Sequence, residues 1–165
     1  MDGRAVANFV LDECERDGRL ITNLALQKVV YFCHVWTLVK LHQPLVKQQF
    51  EAWQFGPVLQ YLYREFKEFE REPITVRAKR LNPNTGNFEI VPYNFEPELE
   101  RLLREVVKLY SALNPGSLVQ LTHVTNGPWH RVWDHEGRVN PGMNITDESI
   151  VEFYVGKHAA RSPMQ

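Results

Sequence analysis

The sequence predicts a mainly α member of the α+β class: a compact bundle of about five to six helices around a buried central helix at 23–41, with a small antiparallel hairpin or sheet at about 74–92. Three observations carry this reading. Apolar residues recur with the 3.6-residue period of a helix along most of the chain. The segment 23–41 is apolar around most of its circumference, as expected of a helix at the centre of a core. Between Ile74 and Val91 the helical period gives way to β-branched residues and alternation around a run of turn formers, Asn82-Pro83-Asn84-Thr85-Gly86-Asn87.

The first helix is read from Ala7, Val10, Leu11 and Cys14, with Val6 and Phe9 widening the stripe and Asp17-Gly18 closing it. Thr22 or Asn23 caps the central helix, whose stripe is Leu26, Val29, Val30, Cys33, Trp36 and Thr37, with one polar seam at Gln27, Tyr31 and His34. It ends near His42, because Pro44 cannot continue it. An extended segment, Phe50 to Phe55, leads to Gly56-Pro57, read as the start of a third helix that buries Leu59, Leu62, Tyr63, Phe66 and Phe69 and stops before Pro73. After the hairpin a fourth helix follows Leu99, Leu102, Leu103, Val106, Tyr110 and Leu113. Ser117 and Gln120 have capping-box spacing for a fifth, which Asn126-Gly127 would close. Pro128 restarts a turn or two through Trp133, and Thr146 caps a last helix, Asp147 to Val155. One domain over 1–156 and a frayed tail at 157–165 are expected.

Of the 165 residues, 44% are hydrophobic, enough for one buried core. A net charge of −1 gives no bulk attraction to nucleic acid or to a membrane surface. The start lacks the long apolar run of a secretion signal, and Gln27, Lys28, His34 and Lys40 interrupt the most apolar helix, which argues against a bilayer span. A cytoplasmic protein is expected, with Cys14 and Cys33 as buried thiols and not a disulfide.

No Gly-rich phosphate loop, HExxH, GxSxG or CxxC motif is present, so no cofactor or metal is expected. An enzyme reading rests on His123, His130, Asp134 and His135, where His130 and Asp134 share a helical face and would serve a hydrolase or a metal. Irregular spacing makes a packed, solvent-edged segment the better account. His34 is either a base bonded to Gln27 or Tyr31 or, more in keeping with its seam, a satisfied core histidine. Arg77, Lys79 and Arg80 form a local basic run on the hairpin, a candidate partner contact, although the nearby Glu65, Glu68, Glu70 and Glu72 favour a mixed-charge face over a nucleic-acid one. Trp53, Phe55, Trp129 and Trp133 lie in irregular segments, where large aromatics either plug a core or anchor a partner.

Ile21-Thr22-Asn23-Leu24-Ala25-Leu26-Gln27-Lys28-Val29-Val30-Tyr31-Phe32 forms a helix-start block, followed by Phe50-Glu51-Ala52-Trp53-Gln54-Phe55-Gly56-Pro57-Val58 and Leu62-Tyr63-Arg64-Glu65-Phe66-Lys67, and near the end by Leu121-Thr122-His123 and Gly127-Pro128-Trp129. In order and spacing these blocks resemble the Panacea domain of SocA-like antitoxins. Asn23, Leu26, Gln27, Lys28, Tyr31, Gly56 and Pro57 are the signature positions, and each has a structural explanation as a cap, core or turn residue. The resemblance covers about residues 5–155 and least the hairpin from Pro73 to Tyr93. It implies an antitoxin, in a bacterium or a prophage, that neutralises a toxin encoded by a neighbouring gene through direct protein contact. It also admits a proteolytic adaptor that hands the toxin to a cellular protease, a homo-oligomer, and an autoregulator that binds DNA, the last disfavoured by charge.

Overall fold

The computed structural model describes residues 1–134 and 141–161. In chain order these form α1 (Gly3–Arg16), α2 (Asn23–Leu41), β1 (Phe50–Trp53), β2 (Gly56–Val58), α3 (Gln60–Glu65), a 3-10 turn (Lys67–Phe69), β3 (Lys79–Leu81) and β4 (Phe88–Ile90). There follow α4 (Pro97–Tyr110), α5 (Pro115–Thr122), α6 (Pro128–Trp133), a 3-10 turn (Pro141–Met143), β5 (Asn144–Ile145) and α7 (Asp147–Arg161). The fold is mainly α within the α+β class, as expected, with seven α-helices among the described residues, two of them, α3 and α6, only six residues long.

Helix α2 starts where Thr22 accepts a hydrogen bond from the Ala25 N–H at 3.3 Å and ends at His42, whose φ of 57° closes the helix in the left-handed conformation. Helices α1, α4, α5 and α7 and strand β2 pack around it. Leu26, Val29, Val30, Phe32, Cys33 and Val35 are all buried. Phe32 stacks on Tyr110 of α4 at 4.1 Å, and the Trp36 indole N–H donates to the Tyr110 hydroxyl at 2.9 Å. Among the described residues α2 is the one helix long and apolar enough to cross a membrane, and most of it is instead buried within the protein. Cys14 and Cys33 are buried free thiols.

The sheet β2-β1-β5 departs from the sequence reading. Gly56-Pro57 does not open a helix: Trp53 pairs with Gly56 and Ala52 with Pro57 in an antiparallel ladder, and α3 begins at Gln60. Gly56 makes the turn at a φ of +105°, and Pro57 sits on an edge strand, where its missing N–H leaves no ladder position empty. Strand β5 returns from far along the chain to pair Ile145 with Phe50, a partnership no local pattern announces. Two helix boundaries also differ. The Asn114 side chain, not Ser117, caps α5 by accepting the Ser117 N–H at 2.8 Å, and that helix ends at Thr122, not at Asn126-Gly127. Thr146 does cap α7 through the Ser149 N–H at 3.2 Å, but the helix runs on to Arg161, beyond the expected Val155.

The hairpin forms where expected, but its paired part is only Lys79–Leu81 against Phe88–Ile90. Asn8, buried in α1, fastens its base. The Asn8 amide donates to the carbonyls of Ala78 at 3.0 Å and Val91 at 2.9 Å, and its oxygen accepts the Ala78 N–H at 2.7 Å. Asn8→Ala would orphan two buried backbone groups, the Ala78 N–H and the Val91 carbonyl, while the Ala78 carbonyl keeps the Val91 N–H; it should lower the unfolding free energy by roughly 2–4 kcal/mol in urea titration, with exchange protection at Ala78 lost first.

Candidate functional site

The first two turns of α2 place Asn23 and Gln27 four residues apart on one face, with Lys28 beside them. All three are buried and point at the segment after β1. Lys28 Nζ donates to the Pro57 carbonyl at 3.0 Å, Gln27 Oε1 accepts the Leu59 N–H at 3.1 Å, and Asn23 Nδ2 donates to the Tyr63 carbonyl at 3.0 Å. Gln27 Nε2 closes the set on Asn23 Oδ1 at 3.1 Å. No side chain caps α3 at Leu59, so Gln27 serves that helix start from outside.

Above this floor is a cleft of about 330 Å³ lined by Asn23, Gln27, Lys28, Trp53, Phe55 and Tyr63, among others. The Trp53 ring meets Tyr63 edge-on at 5.1 Å, and its N–H donates to Glu51 at 2.8 Å, so it is held from two sides. Phe55 is 55% exposed. The Lys28 side chain has no solvent exposure, and burial pushes its pKa down to about 7, so amine and ammonium coexist near neutral pH. A Cβ on Gly56 would stand 2.5 Å from Thr122 Oγ1 and 2.8 Å from Lys28 Cε. Glycine at 56 is therefore what lets the turn close over the lysine.

Further aromatics stack behind the cleft. His123 lies flat on Trp129 at 3.7 Å, and Trp129 on Trp133 at 5.6 Å. Trp129 is buried and its indole N–H donates to the Trp53 carbonyl at 2.8 Å, so it plugs the core and holds β1, while Trp133 is 41% exposed. Burial, and then the nearby Lys28 charge, hold the His123 pKa below its ordinary value. His123 Nε2 is buried with no hydrogen-bond partner among the described residues.

His130 on α6 and Asp134, which caps the end of that helix, come within 3.7 Å, but His130 Nδ1 accepts the Asn126 N–H at 3.3 Å and Asp134 faces solvent. His135 lies outside the described residues. Among those residues, no three His, Cys, Asp or Glu side chains converge as metal ligands would. His34 proves to be a satisfied core histidine, with partners other than Gln27 or Tyr31: Nδ1 accepts the Val46 N–H at 3.3 Å, and Nε2–H donates to Asp147 at 2.8 Å. The basic run is divided. Arg77 is paired with Asp12 at 2.6 Å and with Glu15, whereas the side chains of Lys79 and Arg80 lie exposed on the hairpin.

The family model for the SocA-like antitoxin, Panacea domain, matches residues 26–130. Among curated proteins, the antitoxin SocA of Caulobacter vibrioides (strain NA1000 / CB15N) is 34% identical over 155 residues, covering 93% of this chain and 82% of that protein. No solved structure matches.

Two outcomes follow from the floor of the cleft. Gly56→Ala combines positive-φ strain with a collision against Thr122 and should cost roughly 2–4 kcal/mol in urea unfolding. Between pH 7 and 10 the folded chain binds fewer protons at Lys28 than the unfolded chain, so this residue makes stability rise with pH over that window and fall as pH drops toward 7. The wild-type chain should gain about 2 kcal/mol from pH 7 to pH 9 relative to Lys28→Met, measured as the difference between the two proteins at each pH.

Proposed function

The chain belongs to the family of SocA-like antitoxins built on the Panacea domain, and from that premise we propose that it neutralises a cognate toxin by direct protein–protein contact. The observation that carries this reading is the aromatic cleft. Its lining pairs an exposed Phe55 with a Trp53 held by Glu51 and Tyr63, over a floor of buried, hydrogen-bonded residues. Aromatic side chains fixed before binding lose little freedom on association, and such residues supply a large share of the energy in protein interfaces. A cleft of about 330 Å³ also matches one or two side chains of a partner better than a whole peptide.

In this reading Phe55, Trp53 and Trp133 present the apolar contact, Lys79 and Arg80 a cationic one, and Trp129 and Arg77 hold these elements in place. The toxin is the product of a neighbouring gene, and the encounter takes place in the cytoplasm. The chain acts as a binding protein and not as a catalyst: His130 is engaged by the Asn126 backbone, and the Asp134 carboxylate near it is solvated.

The test is a growth assay with the neighbouring gene product expressed alone and with this chain, together with affinity measured on the purified pair. Wild type should restore growth and bind at micromolar concentration or tighter. Phe55→Ser should weaken binding at least tenfold, about 1.4 kcal/mol, with little change in melting temperature, because the ring is already mostly in water. Absence of any complex at micromolar concentration would contradict direct neutralisation. Rescue that disappears in a protease-deficient host while binding persists would instead indicate an adaptor that delivers the toxin to proteolysis.

A further inference from the structure

The hairpin has a feature that the antitoxin reading does not use. The Val91 N–H donates to the Ala78 carbonyl at 3.0 Å and the Asn82 N–H to the Asn87 carbonyl at 2.8 Å, which fixes the phase of the ladder. In an antiparallel pair the backbone groups of alternate residues face the partner strand, and those between face away. Those of Ala78, Arg80 and Asn82 therefore face inward, toward Val91, Glu89 and Asn87. The N–H and C=O of Lys79 and Leu81 point away on one edge, and those of Phe88 and Ile90 on the other.

The two edges are treated differently. On β3 the Lys79 N–H donates to Glu65 at 2.8 Å and the Lys79 carbonyl accepts from Arg4 at 3.3 Å, so the rest of the chain covers that edge. On β4, among the described residues, nothing bonds the outward groups of Phe88 and Ile90. The same two residues share a face with Leu81 across the register Leu81↔Phe88 and Lys79↔Ile90. Leu81, Phe88 and Ile90 are 54%, 70% and 55% exposed. A free strand edge beside an apolar face is a template for an added strand.

A second copy of this chain is a poor occupant. The register that sets Phe88 of one copy against Ile90 of another places Glu89 directly opposite Glu89, and like charges facing across a ladder repel. Asn82 Nδ2 bonds the Glu89 carboxylate at 2.9 Å and holds it in place. Pro92, the next outward position, has no N–H and ends the usable edge.

We propose that β4 receives an extended segment of the cognate toxin as an added antiparallel or parallel strand, with apolar residues at alternate positions against Leu81, Phe88 and Ile90 and no acidic residue facing Glu89. This rests on the reading of the chain as a toxin-binding protein and names one surface it would use.

The experiment is amide exchange on the full chain, alone and with the purified product of the neighbouring gene, read beside the affinities of Phe88→Ser and Ile90→Pro. Proline at 90 removes the outward N–H, which the hairpin ladder does not use, together with the isoleucine side chain of the exposed face. Addition of the toxin should slow exchange at Phe88 and Ile90 at least tenfold, and each variant should bind at least tenfold more weakly with an unchanged melting temperature. If wild type binds while both amides keep their exchange rates, the strand-addition surface is overturned and neutralisation through another surface stands. If wild type does not bind, the toxin-binding reading itself falls. Protection at these amides that appears without toxin as the chain is concentrated assigns the edge to a second copy and overturns the proposal.

Discussion

The polar edge of α2 is the constraint on which the rest of the molecule depends. A helix surrounded by other elements cannot turn Asn23, Gln27 and Lys28 to water, and each would cost on the order of 1–3 kcal/mol or more if left unpaired. Their partners are backbone groups of Pro57, Leu59 and Tyr63, within one short stretch of chain. The helix thereby dictates the path of that stretch. It fixes a strand at 56–58 and a helix start at 60, and the position of both relative to β1. Gly56 is required because the turn passes over the Lys28 stem at a distance that leaves no room for a side chain.

The same logic recurs farther along α2. His34 takes the Val46 N–H on one nitrogen and donates from the other to Asp147, which ties the segment before β1 and the first turn of α7 to the central helix. Asn8 does the equivalent work for the hairpin. The core is apolar in bulk, but its connections are placed by a few buried polar side chains that each bond backbone far away in sequence. That arrangement holds Trp53 and its neighbours in place while leaving the hairpin tip and Phe55 exposed.

Much of this was legible in the sequence and some was not, for physical reasons. Helices α1, α2 and α4 read correctly because their period is local, and the Panacea resemblance of 21–32 and 50–58 is matched by the family assignment. Gly56-Pro57 misled because those two residues suit a helix start as well as a turn into an edge strand, and the choice is made by β1 and Lys28, more than twenty residues away in the chain for the lysine. Strand β5 was missed for the same reason. Asn8 passed unnoticed inside an apolar stripe, although an asparagine in mid-helix between Ala7 and Phe9 is a poor helix former and signals a tertiary partner. Trp129 and Trp133 look alike in sequence. Only the Trp53 carbonyl separates the buried plug from the exposed ring.

The central claim is that α2's buried side chains, and not local preference, set the turn and the start of α3. Amide exchange at Leu59, compared between wild type and Gln27→Met, tests it most directly. The account predicts that Leu59 in wild type exchanges about as slowly as the interior of α2. In the variant Leu59 should exchange at least tenfold faster, while Val29, Val30 and Cys33 stay protected. A Leu59 amide that exchanges freely in wild type, or one whose protection is unchanged by the substitution, would contradict it.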